Sequence, residues 1–293
     1  MRFRFRGTRG SLAAPGAGTV KYGGNTTCIE VRSDADDLII LDAGTGIREL
    51  GIELAASMPV KCHLFVSHTH WDHIQGLPFF IPMFVPGNEL IIYGPPDPLT
   101  MTGIEAVLAK QMEYPHFPVR VAELQADISY DTLSDGQTVD LGFATVSTLL
   151  MNHPAMDFGS KVRCDGKTLF FTGDHEPFYN IYQPGEEDYD DYEKIVQERN
   201  QGIVEFLRDV DVLIADAQYS EEEYPMKQGW GHSTFERTLA LAQEAGVGKV
   251  YLTHHETTRT DEQIDAILAR LQDEWKDSGV NFDMAREGEV VEM

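Results

Sequence analysis

The stretch His68-Thr69-His70-Trp71-Asp72-His73 constrains this chain more than any other six residues. It places three imidazoles and a carboxylate directly after the apolar run Leu64-Phe65-Val66, which reads as a strand. Imidazole nitrogens and carboxylate oxygens are the donors that hold borderline divalent cations. His68 and His70 lie two apart at a strand end, so they can point the same way. Asp72 and His73 follow on the next turn and can reach a second ion roughly 3.5–4 Å from the first. The remaining ligands of a two-metal centre must then come from elsewhere in the chain.

Candidates sit after other apolar strands. His153 follows Val146 to Met151, Asp174 follows Phe170-Phe171-Thr172-Gly173, and His254 follows Val250 to Thr253. Asp42 ends Leu38 to Leu41, with Gly44-Thr45-Gly46 behind it. His254 and His255 are adjacent, and only one should be a ligand. His254 is favoured because it shares a face with Val250 and Leu252 and continues the strand. His175, beside Asp174, reads as a pocket residue, and His63 and His116 as ordinary histidines.

The 293 residues are 42% hydrophobic and 10% aromatic, enough for a sizeable core. No apolar stretch is long enough to span a membrane. The basic start Met1-Arg2-Phe3-Arg4-Phe5-Arg6 lacks the apolar region a signal peptide needs. Cys28, Cys62 and Cys164 are odd in number and far apart, as expected of a reduced, cytoplasmic chain. The formal net charge of −25 repels polyanions at long range, which disfavours long nucleic acids. A small anionic substrate is still compatible, because a metal ion can dominate the field inside a pocket. A homo-oligomer is equally compatible with the sequence.

Strands are expected at Phe3–Phe5, Cys28–Val31, Leu38–Leu41, Cys62–Val66 and Leu90–Tyr93, with helices at Ile47–Ser57 and Thr102–Met112. Ala144–Met151, Lys161–Arg163 and Thr168–Phe171 are further strands, the last two joined by the hairpin turn Asp165-Gly166. A helix over Tyr192–Asp209, a strand at Val212–Ile214 and a strand at Lys249–Thr253 follow. Ser233 and Glu236 form a capping box that opens a helix closed by Gly246, and Thr260 with Gln263 caps the last one. Strands followed by helices in each half suit one layered α/β domain over residues 1–293. Residues 176–229 stand apart as an acidic arm or lid, rich in Glu, Asp and Tyr at 186–193 and 221–224.

The succession of Asp42, H-x-H-x-D-H, His153, Asp174 and His254 resembles the metallo-β-lactamase fold superfamily, and the resemblance spans nearly the whole chain. It implies a four-layer αββα sandwich of two mixed sheets, with the metals at one edge. It further implies that His68, His70 and His153 bind one ion, that Asp72, His73 and His254 bind the other, and that Asp174 bridges them. Asp42 would support a ligand from behind. Zinc is the expected ion, and manganese or iron would fit the same donors. Gly7-Thr8-Arg9-Gly10 with Pro15, Gly24-Asn25-Thr26-Thr27, Gly76-Leu77-Pro78 and Gly231-His232-Ser233-Thr234 look like the ribonuclease Z and cyclic-phosphate phosphodiesterase branch. In that branch the histidine matching His232 contacts the scissile phosphate or the leaving group.

The resemblance implies a dinuclear hydrolase whose metal-bridging hydroxide attacks a small phosphodiester, cyclic ones included, with Asp72 and His232 as catalytic residues. Two departures bear on the substrate. The acidic 186–193 segment is wrong for gripping tRNA, and the only basic cluster is Arg2, Arg4, Arg6 and Arg9. No cysteine set for a structural zinc is present either. The alternatives are a lactone, thioester or β-lactam hydrolase, a tRNA 3′-end endonuclease, an iron-dependent dioxygenase and a non-catalytic binding protein.

Overall fold

The computed structural model describes residues 1–293. Its strands are β1 (Arg2–Gly7), β2 (Cys28–Arg32), β3 (Leu38–Leu41), β4 (Lys61–Phe65), β5 (Glu89–Gly94) and β6 (Asp127–Thr132), followed by β7 (Thr138–Asp140), β8 (Ala144–Leu150), β9 (Phe158–Cys164) and β10 (Lys167–Phe171). Then come β11 (Val212–Asp216), β12 (Lys249–Thr253), β13 (Phe282–Met284) and β14 (Val290–Glu292). They form two seven-stranded sheets, ordered β14-β1-β2-β3-β4-β5-β6 and β13-β12-β11-β10-β9-β8-β7. Both sheets are mixed. In the first, β3 to β6 run parallel, and in the second β10 to β13 do.

Period-two alternation sorts the apolar residues into three layers. Ile39, Leu41 and Phe65 of the first sheet meet Leu169, Phe171, Ile214 and Tyr251 of the second in the central core. Their neighbours Leu38, Ile40 and Leu64 face outward, onto α1 (Ile47–Leu54) and α3 (Ile104–Gln111). Between these two helices lies the short α2 (Trp71–Ile74). Phe170, Leu213, Val250 and Leu252 face the other way, onto α4 (Tyr189–Leu207), α5 (Phe235–Ala245) and α6 (Asp261–Glu274). Strands buried on both faces explain why β3, β10 and β12 read as continuous apolar runs. The result is the αββα sandwich expected from the sequence.

Local signals held where the chemistry is local. Asp165 and Gly166 both take positive φ, 51° and 72°, as the tight turn between β9 and β10 requires. Gly246 ends α5 in the left-handed region, and Thr260 with Gln263 forms a capping box on α6. The cap of α5 is shifted by one residue. Thr234, not Ser233, accepts the first-turn N–H, from Arg237 at 3.1 Å, while the Ser233 hydroxyl bonds the Thr234 carbonyl. The edge strands β6 and β7 escaped the sequence reading because their exposed faces carry polar residues.

Residues 176–229 include α4 and β11, and β11 is hydrogen-bonded between β10 and β12. Much of that acidic segment is therefore part of the sandwich. The basic cluster at the N-terminus is not a free surface. Arg2 pairs with Asp36, Arg4 and Arg6 with Glu53, and Arg6 also with buried Glu30. Arg9 is fully buried and donates to the carbonyls of Gly23, Glu256 and Arg259.

Candidate metal centre

The carboxyl ends of β3, β4, β8, β10, β11 and β12 converge at one edge of the sandwich, where mixed α/β sheets place their sites. Sharp turns aim the side chains there. Asp42, Gly173 and His254 all have φ near +60° (61°, 63° and 63°). For Asp42 and His254 that is a strained conformation, held by the packing around it. Thus His254 does not continue β12; the left-handed turn sends its ring into the cluster. His255 turns the other way, its Nε2 donating to the Ala285 carbonyl at 2.9 Å. Full burial pushes its pKa down to about 3.

Three overlapping groups of donors result, the atoms of each lying within 4.8 Å of one another. The first is His68, His70, His153 and Asp174, and the second Asp72, His73, Asp174 and His254. The third joins Asp174 and His254 to Asp216 and His232. The seven positions singled out in the sequence are therefore brought together, with Asp174 common to all three groups. His175 is buried but outside them, its Nδ1 accepting from the Asn152 N–H at 3.3 Å.

Behind the donors stand hydrogen bonds that fix four of the six imidazoles. His68 Nδ1 lies 2.8 Å from Asp157, and His73 Nδ1 lies 2.7 Å from Asp42. Asp42 is itself held by the N–H and hydroxyl of Ser67 at 2.7 and 2.8 Å. His153 Nδ1 donates to the Gly231 carbonyl at 2.9 Å, and His232 Nδ1 lies 2.8 Å from Asp216. With Nδ1–H donating outward, the Nε2 atoms of His68, His73 and His153 can offer a lone pair toward the centre.

Charge at the centre is unbalanced. Asp42, Asp72, Asp157, Asp174 and Asp216 are all buried there, and none pairs with a lysine or arginine. Burial pulls the His73 ring down, but Asp174, Asp72 and Asp42 outweigh it and hold its pKa well above the usual value. Burial likewise opposes, and Asp216 and Asp174 overcome, giving His232 a pKa of about 9. Asp157 goes the other way, pushed up by burial and then by the Asp174 charge.

The donor set fits divalent cations. His68 Nε2 and Asp174 Oδ1 are buried and have no hydrogen-bond partner, a costly arrangement unless a ligand meets them. Ring nitrogens face each other, His153 Nε2 with His70 Nδ1 at 3.0 Å and His73 Nε2 with His254 Nε2 at 3.3 Å. Converging lone pairs repel, and a shared cation turns that repulsion into binding.

Sequence reading missed Asp157, Asp216 and Glu176. Asp216 obeys the rule that exposed Asp42 and Asp174, a carboxylate closing an apolar strand, and could have been found by it. Asp157 precedes its strand, and no local signal marks it. Glu176 accepts from Tyr224 Oη at 2.6 Å and from the N–H groups of Gly229 and Gly231, both at 2.9 Å, which seats the loop before His232.

Comparison with known proteins agrees with this architecture. The beta-lactamase superfamily domain profile matches residues 38–255. A ribonuclease Z of Thermoplasma acidophilum is 26% identical over 292 residues, covering 90% of this chain and 89% of that one. The metallo-beta-lactamase fold protein YhfI of Bacillus subtilis superposes with a TM-score of 0.68 at 19% identity, over 100% of this chain and 98% of that one. A diphosphatase from the PhnP family superposes at 0.66 with 16% identity, over 100% and 97%. The chain therefore belongs to the beta-lactamase superfamily and is a metal-dependent hydrolase of the metallo-β-lactamase fold.

Proposed function

We propose that this centre hydrolyses a small phosphodiester with two divalent ions. His68, His70 and His153 would hold one, Asp72, His73 and His254 the other, and Asp174 would bridge them. When bound, such ions acidify water to a nucleophile at neutral pH and neutralise phosphate oxygens. Zinc suits the imidazole-rich set best.

The protein's own residues supply the rest. Asp157, Asp42 and the Gly231 carbonyl hold three rings at fixed tautomers, so no reorganisation is needed when substrate arrives. Asp72, buried and bonded by the Ser11 N–H at 2.7 Å, is fixed both as a ligand and as a negative counter-charge. The observation that carries the phosphodiester reading is the His232–Asp216 pair. Its ring stacks on His254 at 4.8 Å and lies 5.4 Å from His153, centroid to centroid. The neighbouring carboxylates, Asp216 first, favour the charged form of the His232 ring against its burial. Held by Asp216 beside the donor cluster, it is placed to donate a proton to a departing alkoxide.

A His232→Ala variant should keep its metals and lose about 100-fold in turnover of a dinucleotide, whose leaving group is an alkoxide, and far less on bis(p-nitrophenyl) phosphate, whose phenolate leaves unprotonated. Faster turnover of lactones or thioesters than of diesters in the unaltered enzyme, or no effect of the substitution, would overturn the reading. The ribonuclease Z names among the relatives favour a second one, tRNA 3′-end cleavage. Against it stand the charge of −25 and the engagement of Arg2, Arg4, Arg6 and Arg9 within the fold. Specific cleavage of a precursor tRNA at rates above those for small diesters would decide for it.

A further inference from the structure

The loop that carries His153 also forms one wall of a cleft of about 450 Å3. The opposite wall is a single face of α4. Tyr192, Ile195, Val196 and Arg199 recur at i, i+3, i+4 and i+7, so they align along two turns. Met151, Pro154 and Phe178 are among the other apolar residues of the lining. A stripe of this spacing ordinarily closes onto a core. Here Ile195 remains 50% exposed and Tyr192 half-buried, so the stripe faces open space. A smaller cleft of about 200 Å3 shares His153, Phe178 and Tyr192 and reaches Gly229 and Gly231, beside His232. Asn200 fixes the Phe178 wall to the helix, accepting from its N–H at 3.0 Å and donating to its carbonyl at 2.9 Å.

Arg199 is the unusual member of this lining. Every other arginine pairs with a carboxylate, apart from Arg9 on its carbonyls. Arg199 makes no ion pair or side-chain hydrogen bond. Its helical neighbours at three and four residues are Ile195, Val196, Gly202 and Ile203, none of them acidic. In a chain with 48 acidic residues against 23 basic ones, a guanidinium left free at the edge of an apolar cleft is open to an anion.

Resting on the phosphodiester reading, we propose that this cleft seats one arm of the diester. That arm is a flat aromatic or heterocyclic group ending in a second anion, as in a phosphorylated nucleoside. Phe178 and Tyr192 contact the ring system, and Arg199 takes the terminal anion by a bidentate hydrogen bond.

The test compares a 5′-phosphorylated dinucleotide with its 5′-hydroxyl counterpart, on the metal-loaded enzyme and its Arg199→Gln and Arg199→Lys variants. Arg199 is exposed, so both variants should fold as the parent does. The unaltered enzyme should favour the phosphorylated dinucleotide about tenfold in kcat/KM; Arg199→Gln should remove that preference and Arg199→Lys restore part of it. Adenosine 5′-monophosphate, titrated calorimetrically, should bind the glutamine variant about tenfold more weakly. Turnover of both dinucleotides with a ratio near one, or an unchanged ratio in Arg199→Gln, would overturn the assignment of the cleft alone. Failure to cleave either dinucleotide or bis(p-nitrophenyl) phosphate would overturn the reading of the centre, and this inference with it.

Discussion

Replacing Glu176 by glutamine tests how far the centre depends on a group that touches no metal. Glu176 is 2% exposed, and its two oxygens accept from Tyr224, Gly229 and Gly231. Glutamine keeps one acceptor and turns an NH2 toward groups that are themselves donors. In its least damaging orientation the amide nitrogen replaces Oε2 and meets the Gly231 N–H. One buried N–H is then left unpaired, at roughly 1–3 kcal/mol, and two charge-assisted bonds become neutral, at roughly 1 kcal/mol each. Relief of carboxylate desolvation offsets part of this, leaving a net loss of about 3 kcal/mol. For a chain of this length that lowers Tm by about 6 °C.

The loop shift should also reach the metal. The Gly231 carbonyl holds His153 Nδ1, and Gly231 sits so close that a Cβ there would lie 2.2 Å from that nitrogen. Loss of such an outer contact typically weakens metal binding about 10- to 100-fold. Thermal melts of the apo and metal-loaded protein, with chelator competition for affinity, would read both effects. Tyr224→Phe removes one bond and should cost only about 1 kcal/mol. A Glu176→Gln protein with unchanged Tm and unchanged metal affinity would refute the reasoning.

Three further outcomes follow from the same contacts. Gly10→Ala should expel His254 from the centre and lower metal content, because the added Cβ would lie 2.3 Å from its Nδ1; Gly16→Ala, in open space, should change neither. Asp216→Asn should move the alkaline limb of the pH–rate profile to lower pH, because Asp216 helps raise His232 to about 9. Asp209 is pushed up by partial burial but held down more strongly by Lys161 and Arg163, at about 2. A lowered folded pKa adds stability that is present above the unfolded value near 4 and is lost as pH falls through about 2. With Asp209 half-exposed, that pH-dependent part is at most about 1 kcal/mol, and urea titrations between pH 5 and 2 should show it flattened in Asp209→Asn.

Much of the fold was legible because its strands are buried on both faces and its turns carry their own chemistry. Leu38–Leu41, Phe170–Phe171 and Val250–Leu252 are continuous apolar runs, and each is followed within a few residues by a site residue. Asp165-Gly166 and Gly246 mark turns that need positive φ. What stayed hidden depends on contacts distant in sequence. Asp157 matters because β9 lies beside the end of β10, which puts its carboxylate 2.9 Å from the Asp174 N–H. Glu176 matters because a loop more than fifty residues later folds back onto it. The direction of His254 was misread through a left-handed turn that no strand periodicity encodes. That the basic cluster is engaged by Glu30, Asp36 and Glu53 was likewise hidden, because this ion pairing is tertiary.

The overlapping donor groups at the strand ends predict a cluster that holds two divalent ions. Elemental analysis of protein loaded with zinc and freed of excess ion tests it most directly, on the parent chain and on His254→Ala. The parent chain should hold about two equivalents, falling to about one in the variant. One equivalent or fewer in the parent, or no change in His254→Ala, would contradict it.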